Sequence, residues 1–547
     1  MPLADVITRS LCLTAALGAV LLAATPSDAA PRATLSPSLP AILSHISLPL
    51  MAKPAPERRM HLAIALPLRD PAGLDALLRD IYAPASAHFR LYISVAEFAD
   101  RFGPSAADYQ KALDFFRDSG LVIRGISANR LLIDVEGAVA DIERVFHVTM
   151  GLYQHPTEHR LFLAPDREPS LDLSVPVNEI IGLDDFVRPA PRLRHAEAGH
   201  EQRATGSGPG GQFLGSDVRT AYYGRTELTG AGQSVGLMEL AGYNQSDIDT
   251  YFATVKQALT VPVIGISTDG SKLNCPKGCD DTEQVLDVEY AISMAPGLKQ
   301  VQVYVAHSPE SVMSRMASDN TSKQLSTSWG WGAQFKTDET LMKEMAVQGQ
   351  SYLTASGDYS SLQASGPWPE EDPFITAVGG TDLATFGPGG AWRFETGWLG
   401  SAGGPSLDPR NGIQFYQVPF INPANGGSTV RRNVPDIAGD ANTDNFICYD
   451  GTCGGGWGGT SFASPLWAGF IALVNEEAAA RGKPPVGFLN PALYAIGSSI
   501  QYSSTYHDET RGRSGVFNSV YGYDLVTGLG SPHGQILIDS LADGRFD

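Results

Sequence analysis

Basic side chains are in short supply: 39 Lys and Arg stand against 59 Asp and Glu, a formal net charge of −20. That balance argues against nucleic acid as a partner, because phosphate binding needs patches of Lys and Arg. It also fits a protein that works at low pH, where many carboxylates are neutral. Past residue 24 there is no long uncharged apolar run, which argues against a membrane span in the body of the chain, since one needs about 20 apolar residues. The apolar stretch LCLTAALGAVLLAA (11–24) is itself too short to span. With Arg9 before it and Ser27-Asp28-Ala29 after it, residues 1–29 read as a secretory signal, so the expected destination is extracellular or periplasmic.

Cysteine is scarce, at five in 547 residues. Cys12 falls inside the signal, leaving Cys275, Cys279, Cys448 and Cys453. An even number in an exported chain points to disulfides, paired locally within CPKGC and CYDGTC or crossed between them. Zinc is the weaker reading, because neither pair has a histidine at finger-like spacing.

The length implies two or more domains. Residues 56–188 read as a small α+β unit. Strand MHLAIALPL precedes helix AGLDALLRDIY; Ser94 and Glu97 form a capping box; a helix runs from Ser105 to a stop at Gly120. Then come LVIRGI, RLLIDV, the helix VADIERVFHV, LYQH and RLFLAP, an order that suggests a split βαβ of ferredoxin type. Residues 189–212 lack apolar periodicity and are rich in Pro, Gly, Arg and His, the composition of an exposed linker open to proteolysis. From 213 to 547 strands and helices alternate, and QSVGLMEL, QVQVYVA, QLSTSWG, SYLTASGD and FITAVGG have the nearly continuous apolar character of a buried parallel sheet.

The chemistry centres on GGTSFASPLWAGF (458–470). Paired glycines allow a tight turn, and Ser461 opens a long apolar helix whose N-terminal field favours developing negative charge. GTSxASP is also the nucleophile segment of subtilisin-like proteases, but a subtilisin needs a histidine base. After the linker only His307, His507 and His533 remain, none in an HGTH-like setting. Carboxylates are the alternative. Glu283 and Asp287 in DDTEQVLDVEY are spaced i,i+4, on one helix face, where two carboxyls push each other's titrations apart. A Glu can then act as base in acid, where a free histidine would be protonated. Asp358 in SGDYS closes a strand at the carboxyl edge of the sheet, and there a protonated Asp could donate to an oxyanion.

This ordered set resembles the sedolisin family of serine-carboxyl peptidases, its kumamolisin-like members most closely. The resemblance implies a subtilisin-like parallel-sheet catalytic domain preceded by a ferredoxin-like α+β prodomain. Glu283 would be the general base, Asp287 its orienting carboxylate, Asp358 the oxyanion acid and Ser461 the nucleophile, with Trp329 (LSTSWG) and Glu239 (LMEL) extending the network. HDET (507–510) and VYGYDLVTGLGSP (520–532) resemble the halves of the family's calcium site. One structural Ca²⁺ would be held by the carboxylates of Asp508 and Asp524 and the carbonyls of Glu509, Val520 and Gly522, hard oxygen donors suited to that cation.

YISVAEFADRFGPS and IIGLDD mark the N-terminal domain as resembling the family's activation prodomain. The resemblance thus implies a secreted, monomeric, acid-acting endopeptidase that cuts proteins or peptides. Its own prodomain inhibits it until a cut within 189–212, with His195 and His200 contributing by charging on acidification. Tripeptidyl-peptidase activity, or a non-catalytic binding role on the same scaffold, are the alternatives.

Overall fold

The computed structural model describes residues 33–34, 48–196, 205–276, 278–332, 335–366 and 368–544. The expected secretory signal and residues 197–204, His200 among them, lie outside the described residues.

In the N-terminal domain four antiparallel strands are ordered Val122–Ile126, Leu132–Ala138, Arg59–Ala65, Glu179–Ile181. Numbered along the chain this is 2-3-1-4, the ferredoxin-like order anticipated from the sequence. The helices Ala106–Asp118 and Val139–Phe146 share one core with the sheet, built from Leu62, Ile64, Phe116, Val135, Ile142 and Phe146. Helix starts follow local chemistry: Ser94 Oγ accepts from the Glu97 N–H (3.2 Å) while Glu97 Oε2 accepts from the Ser94 N–H (2.9 Å). A separate sheet joins Leu50–Ala52, Met150–Gln154 and Leu161–Pro165.

The large domain is built on a sheet ordered Val263–Ser267, Gln300–Val305, Ser234–Glu239, Gln324–Thr327, Ser351–Ala355, Thr376–Thr385. All five pairings are parallel; Ile437–Asp440 joins the last strand in parallel and Trp392–Gly397 in antiparallel. Two helices, Thr282–Met294 and Thr460–Ala480, pack against each other. Every residue of the first is buried. The second is apolar nearly all round and buried from Thr460 to Asn475, the pattern of a helix enclosed within a large domain. Polar side chains on these helices therefore sit inside the domain, beside the carboxyl ends of the central strands.

The domains meet through paired polar groups. The Glu179 carboxylate caps the helix Lys336–Val347, accepting from the N–H groups of Lys336 (2.9 Å) and Thr337 (3.1 Å). Asn129 Nδ2 donates to Glu344 (2.7 Å) and Lys343 pairs with Asp75 (2.8 Å). Cys275–Cys279 and Cys448–Cys453 close two local loops, which takes up all four cysteines among the described residues. Among the described residues, no helix is long and apolar enough to cross a membrane.

Candidate active site

Ser461 lies in the first turn of Thr460–Ala480, after Gly459 at φ +134°. Only glycine is at ease there: an added Cβ would meet the Arg192 carbonyl oxygen at 2.3 Å and Asp358 Oδ2 at 2.5 Å. Those two oxygens thus flank one point beside the nucleophile candidate. Asp358 Oδ1 accepts from both the N–H and the hydroxyl of Thr460 (2.8 Å each), and that hydroxyl accepts from the Gly357 N–H (3.0 Å). Oδ2 has no partner. Burial pushes the Asp358 carboxyl up to about 7, against the pull of Thr460, Arg192 and Arg194. In its protonated form, Oδ1 occupied as an acceptor leaves Oδ2 to carry the proton.

Glu283 and Asp287 project from the buried helix towards the same place. Burial first, then the charges of Asp287, Glu239 and Asp358, hold Glu283 well above the ordinary carboxylate range, with the nearby Ser461 hydroxyl pulling it down. That hydroxyl is turned to Arg192, and among the described residues neither Glu283 oxygen has a properly aligned hydrogen-bond partner. Asp287 Oδ1 accepts from Ser328 Oγ (2.8 Å), and burial pushes this carboxyl up to about 8. Ser328 Oγ also lies 3.4 Å from the Ser461 carbonyl, a group left short of its helical partner because Pro465 has no N–H. Glu239 ends its strand behind Asp287, takes the Trp329 indole N–H (2.9 Å), and is raised by burial and by Asp287. Three mutually close buried carboxyls cannot all ionise together.

The segment 189–212, expected as an exposed linker, begins inside this cleft. Ala190–Pro191 pairs antiparallel with Trp329–Gly330, and Arg194–His195 pairs antiparallel with Trp457–Gly458. Between them the Arg192 carbonyl accepts from the Ser461 hydroxyl (2.5 Å) and N–H (3.2 Å). Side-chain periodicity could not foretell this, because edge pairing uses backbone groups that residues of any type carry. His195 sits at the cleft with its ring against Trp457 (4.6 Å).

The calcium candidates also come together. Asp508 Oδ2 accepts from the Gly522 N–H (3.2 Å), and Asp524 accepts from the N–H groups of Val520 (3.0 Å), Val526 and Thr527 (2.8 Å each). Burial raises both carboxyls, Asp524 to about 7, and no basic side chain figures among the main influences on either. The buried Asp524 carboxylate and the half-buried Asp508 carboxylate, neither paired with a basic side chain among the described residues and both beside the Glu509, Val520 and Gly522 loops, fit a hard divalent cation.

Nothing in the sequence singles out Thr460, Ser328 and Arg192 as site residues. GGTS and STSWG carry the first two, but only as a helix start and a strand end.

A serine at a helix N-terminus, ringed by buried carboxyls at the edge of a subtilisin-like parallel sheet, defines a serine-carboxyl peptidase. A family model described as "Pro-kumamolisin, activation domain" matches residues 51–186. The chain is 30% identical over 507 residues to kumamolisin of Bacillus sp. (strain MN-32), covering 84% of this chain and 87% of that one. It is 27% identical over 511 residues to sedolisin of Pseudomonas sp. (strain 101), covering 86% and 85%. The solved structure of Pseudomonas sedolisin, a serine-carboxyl proteinase complexed with two molecules of pseudo-iodotyrostatin, shares the fold: TM-score 0.53, 24% identity, 63% of this chain and 98% of that chain. The chain belongs to the sedolisin family, with an N-terminal activation domain ahead of the peptidase.

Proposed function

We propose that this protein is an exported, acid-acting endopeptidase that matures by cutting itself. Ser461 Oγ attacks a peptide carbonyl carbon while Glu283 takes the hydroxyl proton, oriented and tuned by Asp287 and Glu239. The Ser461 N–H and protonated Asp358 Oδ2 hold the tetrahedral oxyanion. The C–N bond breaks, Glu283 returns the proton to the leaving amine, and water repeats the sequence on the acyl ester. The observation that carries this reading is the carbonyl of Arg192, seated on Ser461 and flanked by the unpartnered Asp358 oxygen.

The pH dependence follows from the same groups. Asp358, pushed up to about 7, donates below that pH and loses its proton above it. Endopeptidase action is favoured over removal of tripeptides because the bound segment continues past Ala190 through Pro189 to the N-terminal domain, which requires an open cleft end. One Ca²⁺ at Asp508 and Asp524 would tie the C-terminal loops together without entering the reaction, and residues 1–29 would direct export.

The test is acidification of the full-length precursor to about pH 4, where Asp and Glu titrate, with Ser461→Ala beside it. Wild type alone should shorten and then cut a quenched peptide. If both shorten but only wild type cuts, another protease does the processing and Ser461 keeps its role. If neither cuts any peptide across the acidic range, a binding role on this scaffold replaces the peptidase reading.

A further inference from the structure

An aspartate at the start of a helix ordinarily accepts from that helix's own first N–H groups. Asp281, at the start of the helix Thr282–Met294 that carries Glu283, makes no such bond. Its carboxylate is buried and reaches other segments instead. Oδ2 accepts from the N–H and the side-chain amide of Asn244 (2.9 Å each), and Oδ1 from the Asp450 N–H (3.4 Å). The base helix thus forgoes its cap for contact with a distant turn.

That turn receives two more carboxyls. Asp247 Oδ1, from the helix Gln245–Thr254, accepts from the Gly451 N–H (3.0 Å). Glu289 Oε1, on the base helix itself, accepts from the Cys448 N–H (3.4 Å). Asp450 and Gly451 both have positive φ (+45° and +72°), the pattern of a two-residue hairpin turn that Asp-Gly favours. Their N–H groups lie outside the strand ladder, free for the two aspartates.

The hairpin held in this way joins both halves of the site. Its strands, Asn445–Tyr449 and Thr452–Gly458, are cross-linked by Cys448–Cys453 one residue pair from the turn. Asn445 Oδ1 accepts from the Tyr290 hydroxyl of the base helix (2.9 Å). The second strand continues through Gly459 into Ser461. Its Trp457–Gly458 edge pairs with Arg194–His195, and the Ala196 N–H donates to the Gly456 carbonyl (2.7 Å). Chain that follows a carbonyl seated on Ser461 therefore lies along this strand.

We infer that Asp281 and the Cys448–Cys453 disulfide are positioning residues: they tie the hairpin to the base helix and so hold the strand edge that binds the leaving-group side of a peptide substrate. This rests on the peptidase reading above. Neither touches the reacting atoms; both act through Trp457 and Gly458.

The matured enzyme carries the test. Two substrates share one acyl part, taken from a bond the enzyme cuts in a mixed peptide pool. One continues for several residues past that bond; the other ends there in a nitroanilide, which offers the strand no peptide groups to pair with. In a Cys275→Ser, Cys279→Ser background, a water-soluble phosphine, itself oxidised to its oxide, opens Cys448–Cys453 alone. The ratio of kcat/KM, long over short, should then fall by about 10-fold, the scale of one or two backbone hydrogen bonds. Asp281→Asn without reductant turns one of the two acceptor oxygens into a donor and should lower the same ratio by about 3-fold or more. That variant keeps the inference testable where the cysteine background does not mature. Loss of folded enzyme lowers both rates alike, so a ratio unchanged by reduction and by Asp281→Asn overturns the inference. A wild type that cleaves neither substrate nor the pool overturns the peptidase reading instead.

Discussion

The rings of His61, in the N-terminal domain, and His307, in the peptidase domain, lie stacked with centroids 3.7 Å apart and planes within 11°. Asp269 accepts from the His307 ring (2.8 Å) and, as the largest influence, raises its pKa, so His307 charges first on acidification. His61 is held below its ordinary 6.5, chiefly by burial and then by His307, with Arg124 in the same direction and Glu136 and Asp269 opposing. A base whose pKa drops on association contributes its stabilisation above its free value and loses it as the pH falls through the lowered one. The pair therefore favours domain contact near neutrality and weakens it in acid. Asp134, buried against Ser311 and pushed up to about 7, acts in the opposite sense, because the interface favours its neutral form.

His61→Gln is accordingly expected to need a lower pH for half-maximal maturation of the precursor than wild type does. The rate of shortening measured across pH 3 to 7 on a gel checks this, over the range where carboxyls and histidines titrate. An unchanged midpoint would assign acid sensing to other groups, with His195 the next to test.

Asp358→Asn replaces the Oδ2 proton by an amide donor that does not titrate, while its oxygen can still accept from Thr460. The loss of rate as the pH rises through about 7 should then no longer follow residue 358. Asp358→Ala, which removes the donor, should cost about 10²–10³-fold in kcat, the scale for losing one oxyanion donor. Complete pH–rate profiles of the two variants distinguish these effects; an Asn variant that keeps the wild-type alkaline limb would contradict the assignment.

Chelation should loosen the C-terminal region. For a cation present at about 100 times its Kd, removal costs about 2.7 kcal/mol, and thermal unfolding of matured enzyme with and without a calcium chelator reads the loss. Asp524→Asn should lower the unfolding temperature beforehand and blunt the chelator's effect. If the melting temperature is indifferent to both calcium and chelator, the site holds no stabilising ion.

Arg432 and Asp436 form a fully buried ion pair, with guanidinium–carboxylate contacts of 3.0 and 2.7 Å. Arg432→Met strands a buried charge and should destabilise by about 3–5 kcal/mol. The double variant Arg432→Met, Asp436→Leu should recover part of that loss, because no unpaired charge remains. Denaturant unfolding of both variants in an uncleaved Ser461→Ala background measures the difference.

Features governed by neighbours along the chain are legible in the order of residues alone. The Ser94–Glu97 box and the Ser105 start are contacts over three residues, so they read directly from the letters. The i,i+4 spacing of Glu283 and Asp287 places both on one helix face, and GGTS announces a tight turn into a helix. The order of strands and helices limits the fold to a parallel sheet behind a small α+β domain, because few topologies accept that order.

What the sequence by itself determined, then, is local geometry and the cast of reactive groups. Tertiary structure decided which groups meet and how far water is excluded. Thr460 holds Asp358 across 102 residues and Ser328 holds Asp287 across 41. Glu370 is fully buried against Arg192, 178 positions earlier in the chain. The cysteines paired locally although crossed pairing was open on sequence. Burial and long-range proximity depend on what other segments cover, and desolvation is the largest cause of the raised pKa at Glu239, Glu283, Asp287 and Asp358. A carboxyl's place in the chain names it as an acid; only its enclosure by the fold decides where it titrates.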